Sequence, residues 1–119
     1  MGKEIRTPAG KIALSEEVIA TVAGVATTEC CGIVGMASRK LKDGIAEILG
    51  RENLSRGVEV VIDNDRLLIN LYVIVAYGTR IADVARKVIE KVKSAVQEAT
   101  GLEVYKVSVY VQGVKKPGR

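Results

Sequence analysis

Few side chains in this chain are equipped for chemistry. It has no histidine and two cysteines, the adjacent pair Cys30 and Cys31. Zinc sites and dithiol redox sites put two residues between paired cysteines, so that both sulfurs reach one ion or each other without strain. A vicinal pair lacks that spacing, and a closed zinc site here would have to recruit carboxylates. The pair reads as two small apolar side chains at a helix end in a reducing compartment. Asp63-Asn64-Asp65 opens like a calcium loop, but Arg66 and Leu67 follow, where such a loop needs a further oxygen ligand and a glycine. It reads as a hairpin turn, because Asn and Asp tolerate turn dihedrals and satisfy backbone amides locally. Glu16/Glu17 and Glu47/Glu52 are carboxylate pairs by count only; acid–base chemistry needs two carboxyls held in different environments across a pocket. Gly32-Ile33-Val34-Gly35 has the G-x-x-G spacing with which KH modules clamp an RNA backbone, although its middle residues are apolar. With Arg39, Lys40 and Lys42 close behind, Gly32 and Gly35 are the candidate nucleic-acid contacts. No catalytic, cofactor-binding or metal residues are expected, and no small-molecule substrate.

Composition agrees. The chain has 119 residues, enough for one domain with a modest core. Its core must be aliphatic, since Phe and Trp are absent and Tyr72, Tyr77, Tyr105 and Tyr110 are the only aromatics. The net charge of +4 is diffuse apart from Arg39-Lys40-Leu41-Lys42 and the end Lys115-Lys116-Pro117-Gly118-Arg119, whereas a nucleic-acid binder concentrates its excess. No apolar run reaches the roughly 18 residues of a membrane span. The N-terminus lacks the apolar region of a signal peptide. A cytoplasmic protein is expected, without direct membrane insertion.

The elements that position these residues follow from periodicity. Pro8-Ala9-Gly10 marks a turn between two short extended pieces. Ser15 is placed to cap a helix whose apolar stripe is Val18, Ile19, Val22, Val25 and Ala26. Gly32 to Ala37 reads as a buried strand, and Leu41 to Leu49 as a second, weaker helix. Arg51 to Arg56 is a polar connector. Val58 to Ile62 and Leu67 to Tyr77 form a hairpin about the Asp63–Arg66 turn. Thr79 caps a long helix with the stripe Ile81, Val84, Ala85, Val88, Val92, Ala95, Val96 and Ala99, which Gly101 ends. Val107, Val109 and Val111 alternate in a last strand.

This order predicts an α+β fold: a two-layer sandwich with a mixed, mainly antiparallel sheet and helices packed on one face. Residues 1–114 make the domain and 115–119 a basic flexible tail. Leu67 to Tyr77 is apolar on both sides, so the sheet's other face shows Tyr72, Ile74, Ala76 and Tyr110. Nothing in a two-layer chain covers them, and such a patch suits self-association.

The segments resemble the alkaline shock protein family, small bacterial proteins also called envelope stress response or general stress proteins. The resemblance rests on Gly10-Lys11-Ile12-Ala13-Leu14-Ser15 with Glu17-Val18-Ile19-Ala20, on Gly32 to Met36, on Val75-Ala76-Tyr77-Gly78-Thr79, and on Thr100 to Val104 leading into Val107 to Val114. These lie in order over nearly the whole chain. The resemblance implies a non-enzymatic cytoplasmic protein that multimerises and brings no catalytic or cofactor residues. Some such proteins sit beneath the membrane through an anchoring protein partner. The expectation is a homo-oligomeric scaffold or adaptor, peripheral to the membrane through a partner. The alternative is a weak RNA-binding module of KH-like layout.

Overall fold

The computed structural model describes residues 2–40 and 47–116. The order is β1 (Gly2–Thr7), β2 (Gly10–Ser15), α1 (Glu16–Thr28), β3 (Ile33–Met36), a 3₁₀ helix (Arg51–Gly57), β4 (Val58–Asp63), β5 (Arg66–Ala76), α2 (Ile81–Thr100) and β6 (Glu103–Lys115). The fold is α+β. β1 and β2 pair with each other in a two-stranded sheet of their own, apart from the four-stranded sheet of β3 to β6. The sequence suggested a single sheet; the hairpin stands out because most of β2 is exposed, including Ile12 at 51 %. Lys3 on β1 pairs with Asp65, tying the arm to the β4–β5 turn.

β5 organises the main sheet. β4 pairs antiparallel with its first half, Arg66 to Leu71, and β3 antiparallel with Val73 to Val75. β6 runs parallel to all of it, from Arg66 to Ala76. A strand has two edges, so β3 and β4 lie in tandem along one and β6 takes the other. The parallel pair is the natural outcome of a strand–helix–strand crossover. β6 runs to Lys115, which pairs with Ala76, one residue past the expected domain limit.

Leu67, Ile69, Leu71, Val73 and Val75 of β5 are all at most 1 % exposed and join the helices in one core. From α2 come Val88, Val92 and Val96, a four-residue repeat that keeps them on one helix face, each fully buried. Burial of a side chain of that size contributes about 1.5–3 kcal/mol. Thr100 Oγ donates to the Val96 carbonyl at 2.7 Å, and Gly101 ends the helix at φ 75° with its N–H on the Gln97 carbonyl.

Four local expectations are corrected. α1 does start at Ser15, whose Oγ accepts from the Val18 N–H at 3.2 Å. Its buried face, however, is Ile19, Ala20, Ala23, Gly24, Ala26 and Thr27, while Val18 and Val25 are 48 % and 43 % exposed. Small residues win because α1 packs closely on the 3₁₀ helix: a Cβ on Gly24 would meet Leu54 Cβ at 3.2 Å. Thr79 does not cap α2; Arg80 holds that position, and Thr79 Oγ donates to the Ala76 carbonyl at 2.7 Å. The helix expected over Leu41 to Leu49 falls partly on residues 41–46, outside the described ones. Its end is extended: Ile48 bridges Ala37, and the Leu49 N–H donates to the Met36 carbonyl at 2.8 Å. The Arg51–Arg56 connector forms the 3₁₀ helix.

Candidate functional site: the open sheet face

The residues with chemical potential are scattered and serve local structure. Asp63 and Arg66 close a two-residue hairpin in which Asn64 and Asp65 take φ 50° and 67°, the mirror-image turn that matches strand twist. Cys30 is half-buried, and its thiol donates to the Ala26 carbonyl at 3.6 Å; Cys31 is exposed. Burial pushes the Cys30 thiol up, against the pull of Lys91 and with help from Glu29 and Cys31. A reactive thiol needs the opposite shift. Among the described residues no group of three or more His, Cys, Asp or Glu is placed to hold a metal ion.

Gly32 and Gly35 do not flank a loop. Ile33–Met36 is the strand β3, and Gly35 is buried. Gly32 has φ +93°, and a Cβ there would lie 2.6 Å from Val84 Cγ2. The first glycine is thus used to bring the chain against α2. Arg39 and Lys40 are exposed and, with Ser38 and Arg56, line a small cleft of about 220 Å³. Lys42 lies outside the described residues. Arg39 and Arg56 also line a neighbouring open cleft of about 430 Å³ beside β4, where Glu16, Glu17 and Glu59 face the same space. Mixed charge in this cleft favours neither phosphate nor a cation. Glu47 and Glu52 are both exposed.

The sheet's second face gathers more. Leu68, Tyr72, Ile74 and Ala76 of β5 stand outside the helix-covered core. Tyr72 is opposite Tyr110 on β6, and their rings stack with centroids 5.0 Å apart and planes 14° apart. Parallel pairing in register places both rings on one face; offset stacking of this kind is worth about 0.5–1.5 kcal/mol beyond its buried area. Tyr110 is 47 % exposed, and Tyr72 and Ala76 are half-buried. Ile74 is 4 % exposed, so it backs the face rather than presenting itself to a partner.

Sequence reasoning missed the polar neighbours of this face. Asn70 Nδ2 donates to Glu59 Oε1 at 3.0 Å across the β4–β5 pair. The Tyr72 hydroxyl is pushed above its ordinary value by burial first, then by the Glu59 carboxylate and Tyr110, with Arg39 opposing. Arg66 lies over the Tyr105 ring, 4.0 Å from its centroid. Taking alternate residues along β5 and their register partners would have found the Asn70–Glu59 pair, since directly opposed residues share a face.

The sequence profile of the alkaline shock protein 23 family, described as having a cell envelope-related function, matches residues 4–116. The chain is 52 % identical over 116 residues to the uncharacterized protein YloU of Bacillus subtilis (strain 168), covering 97 % of each chain. It is 39 % identical over 119 residues to the uncharacterized protein Spy1614 of Streptococcus pyogenes serotype M6, covering 99 % of this chain and 98 % of that one. It is 29 % identical over 109 residues to the uncharacterized protein YqhY of Bacillus subtilis (strain 168), covering 92 % and 80 %. No solved structure matches the chain. Among the described residues no helix is long and apolar enough to cross a membrane. The strand-and-helix order, the aliphatic core and the near full-length profile match converge: this chain belongs to the alkaline shock protein 23 family, a family with a cell envelope-related function.

Proposed function

We propose that this protein is a non-enzymatic, self-associating scaffold or adaptor of the envelope stress response type. It works in the cytoplasm, peripheral to the membrane through an anchored protein partner, and its contact surface is the open sheet face. The observation that carries this reading is the stacked pair Tyr72–Tyr110, which stands outside the core with Tyr110 47 % exposed. Tyrosine offers a large, stiff, amphipathic contact at small entropic cost and is enriched in interface cores. Val61, 42 % exposed, and the Arg66–Tyr105 contact extend the surface. The envelope-related function of the family supports a role near the membrane.

The test is sedimentation velocity over a concentration series for the wild type and Tyr110→Asp, with cross-linking to membrane proteins in cells. Tyr110→Asp buries a charge in any contact made by this face, so association and capture should weaken about tenfold or more, with an unchanged circular dichroism spectrum. A wild-type chain that stays monomeric at every concentration and cross-links to no membrane protein overturns the reading.

A further inference from the structure

We propose that the free edge of β6 pairs antiparallel with β6 of a second copy about a two-fold axis at Val109, joining two sheets into one. The inference rests on the self-association reading and adds to the open face a second contact, at the sheet edge. Among the described residues β6 pairs with β5 alone, so the other edge of this strand has no strand partner. Thirteen residues at about 3.3 Å each make that edge about 43 Å long. An unpaired edge is a template for another chain, and proteins usually blunt it with charge, proline or bulges. Here the register irregularities sit near the two ends, between the partners of Leu67/Leu68 and of Val73/Ile74. The extra residues are Tyr105 and Gln112, and beyond Lys106 the run Val107-Ser108-Val109-Tyr110-Val111-Gln112-Gly113-Val114 contains no charge and no proline.

The occupant follows from the strand's own sequence. A two-fold antiparallel pair must oppose residues of the same face, and a one-residue slip would set core valines against the open face. Centring on Val109 pairs the strand over its full length. It opposes Val107 to Val111 and Val104 to Val114, all on the core side, and Ser108 to Tyr110 on the open side. It also opposes Glu103 to Lys115 at both ends, so the strand is charge-complementary to itself. Shifting the centre to Ser108 or Tyr110 loses both ion pairs. The axis stands perpendicular to the sheet. It leaves the helices of both copies on one side and merges the two Tyr72–Tyr110 stacks into a single surface on the other. Closed two-fold pairs are the commonest homo-oligomers.

The experiment is charge reversal at the exposed strand ends, read by sedimentation equilibrium. Glu103→Lys and Lys115→Glu should each weaken dimerisation about fivefold or more, because each turns two attractive pairs into repulsive ones. The double variant should restore it. In a Cys30→Ser, Cys31→Ser background, Val109→Cys should form a disulfide-linked dimer with diamide. Val107→Cys and Val111→Cys should cross-link when mixed but not alone, since like positions are then about 13 Å apart. Single reversals without effect, or failure of Val109→Cys to cross-link, overturn the edge pairing. If Tyr110→Asp then abolishes the dimer, self-association through the open face still stands. A dimer lost on Ile12→Asp but indifferent to the charge reversals assigns the edge to the partner's β1–β2 arm and also overturns it. A strict monomer removes both readings.

Discussion

Gly32→Ala should destabilise this protein more than its size suggests, and the structure says by how much. Two costs fall on one methyl group. The first is conformational: φ is +93°, a region in which an L side chain is held only against strain of about 1–2 kcal/mol. The second is steric: the new Cβ would sit 2.6 Å from Val84 Cγ2 and 3.3 Å from Val84 Cγ1. Val84 is 9 % exposed and lies in the first turn of α2, so it cannot swing into water, and overpacking of this kind costs about 1–3 kcal/mol. Together they give about 2–5 kcal/mol, a large part of a typical domain's stability. Gly78→Ala is the internal control. Its φ is +91°, but nothing lies within 4 Å of the added Cβ, so it isolates the conformational cost. Urea unfolding of the two variants should show Gly32→Ala the weaker by about 1–3 kcal/mol, a midpoint gap of roughly 0.5–1.5 M at a slope near 2 kcal/mol/M. Val84→Ala added to Gly32→Ala should recover part of the steric loss. Equal midpoints for Gly32→Ala and Gly78→Ala would refute the packing role of Gly32 and reopen its reading as one end of a clamp.

Two solution properties follow from the titratable groups. Exposed Cys31 should react with a disulfide reagent well before Cys30, whose thiol is half-buried and pushed up in pKa by burial. Cys31→Ser should remove the fast phase of thiol titration, and a single phase covering both thiols would contradict the geometry. The folded-state pKa of Tyr72 is raised above its ordinary value of 10.0, so on alkalinisation the unfolded chain releases this proton first. The stabilisation it contributes is complete below about pH 10 and fades as pH rises through the folded value. Urea midpoints measured from about pH 8 to about pH 11 should therefore fall at the alkaline end, and less steeply in Tyr72→Phe.

Legibility differed between elements for identifiable reasons. The β4–β5 hairpin was readable because Asp63 to Arg66 has one cheap conformation, the turn it adopts. α2 was readable because its valines repeat every four residues and Gly101 ends it with a left-handed backbone. α1 was located correctly but rotated. Its large apolar residues drew the stripe to Val18 and Val25, whereas the buried face carries the small residues Ala20, Ala23 and Gly24, with Gly24 close against Leu54. That face was visible as a pattern of small residues, yet hydrophobicity alone ranks it second. Glu47 to Leu49 failed as a helix because the segment's backbone bonds go to Met36 and Ser38, partners distant in sequence. The open face was half legible. Alternation placed Tyr72, Ala76 and Tyr110 on one side, but the burial of Ile74 and the Glu59–Asn70 bond depend on neighbouring strands.

By itself, the sequence determined most of the elements and the greasy sides of β5, β6 and α2, because periods of 2 and near 3.6 follow from backbone geometry and need no partner. It also determined that reactive groups are few. Only the tertiary structure decided which strands meet: β6 lies parallel along the whole of β5, while β3 and β4 share the opposite edge in tandem. Pairing is a contest between long-range contacts of similar local quality, so it is resolved by how the two helices cover the sheet. That resolution left one long strand edge without a strand partner among the described residues and brought two tyrosines, 38 residues apart in sequence, into a stack.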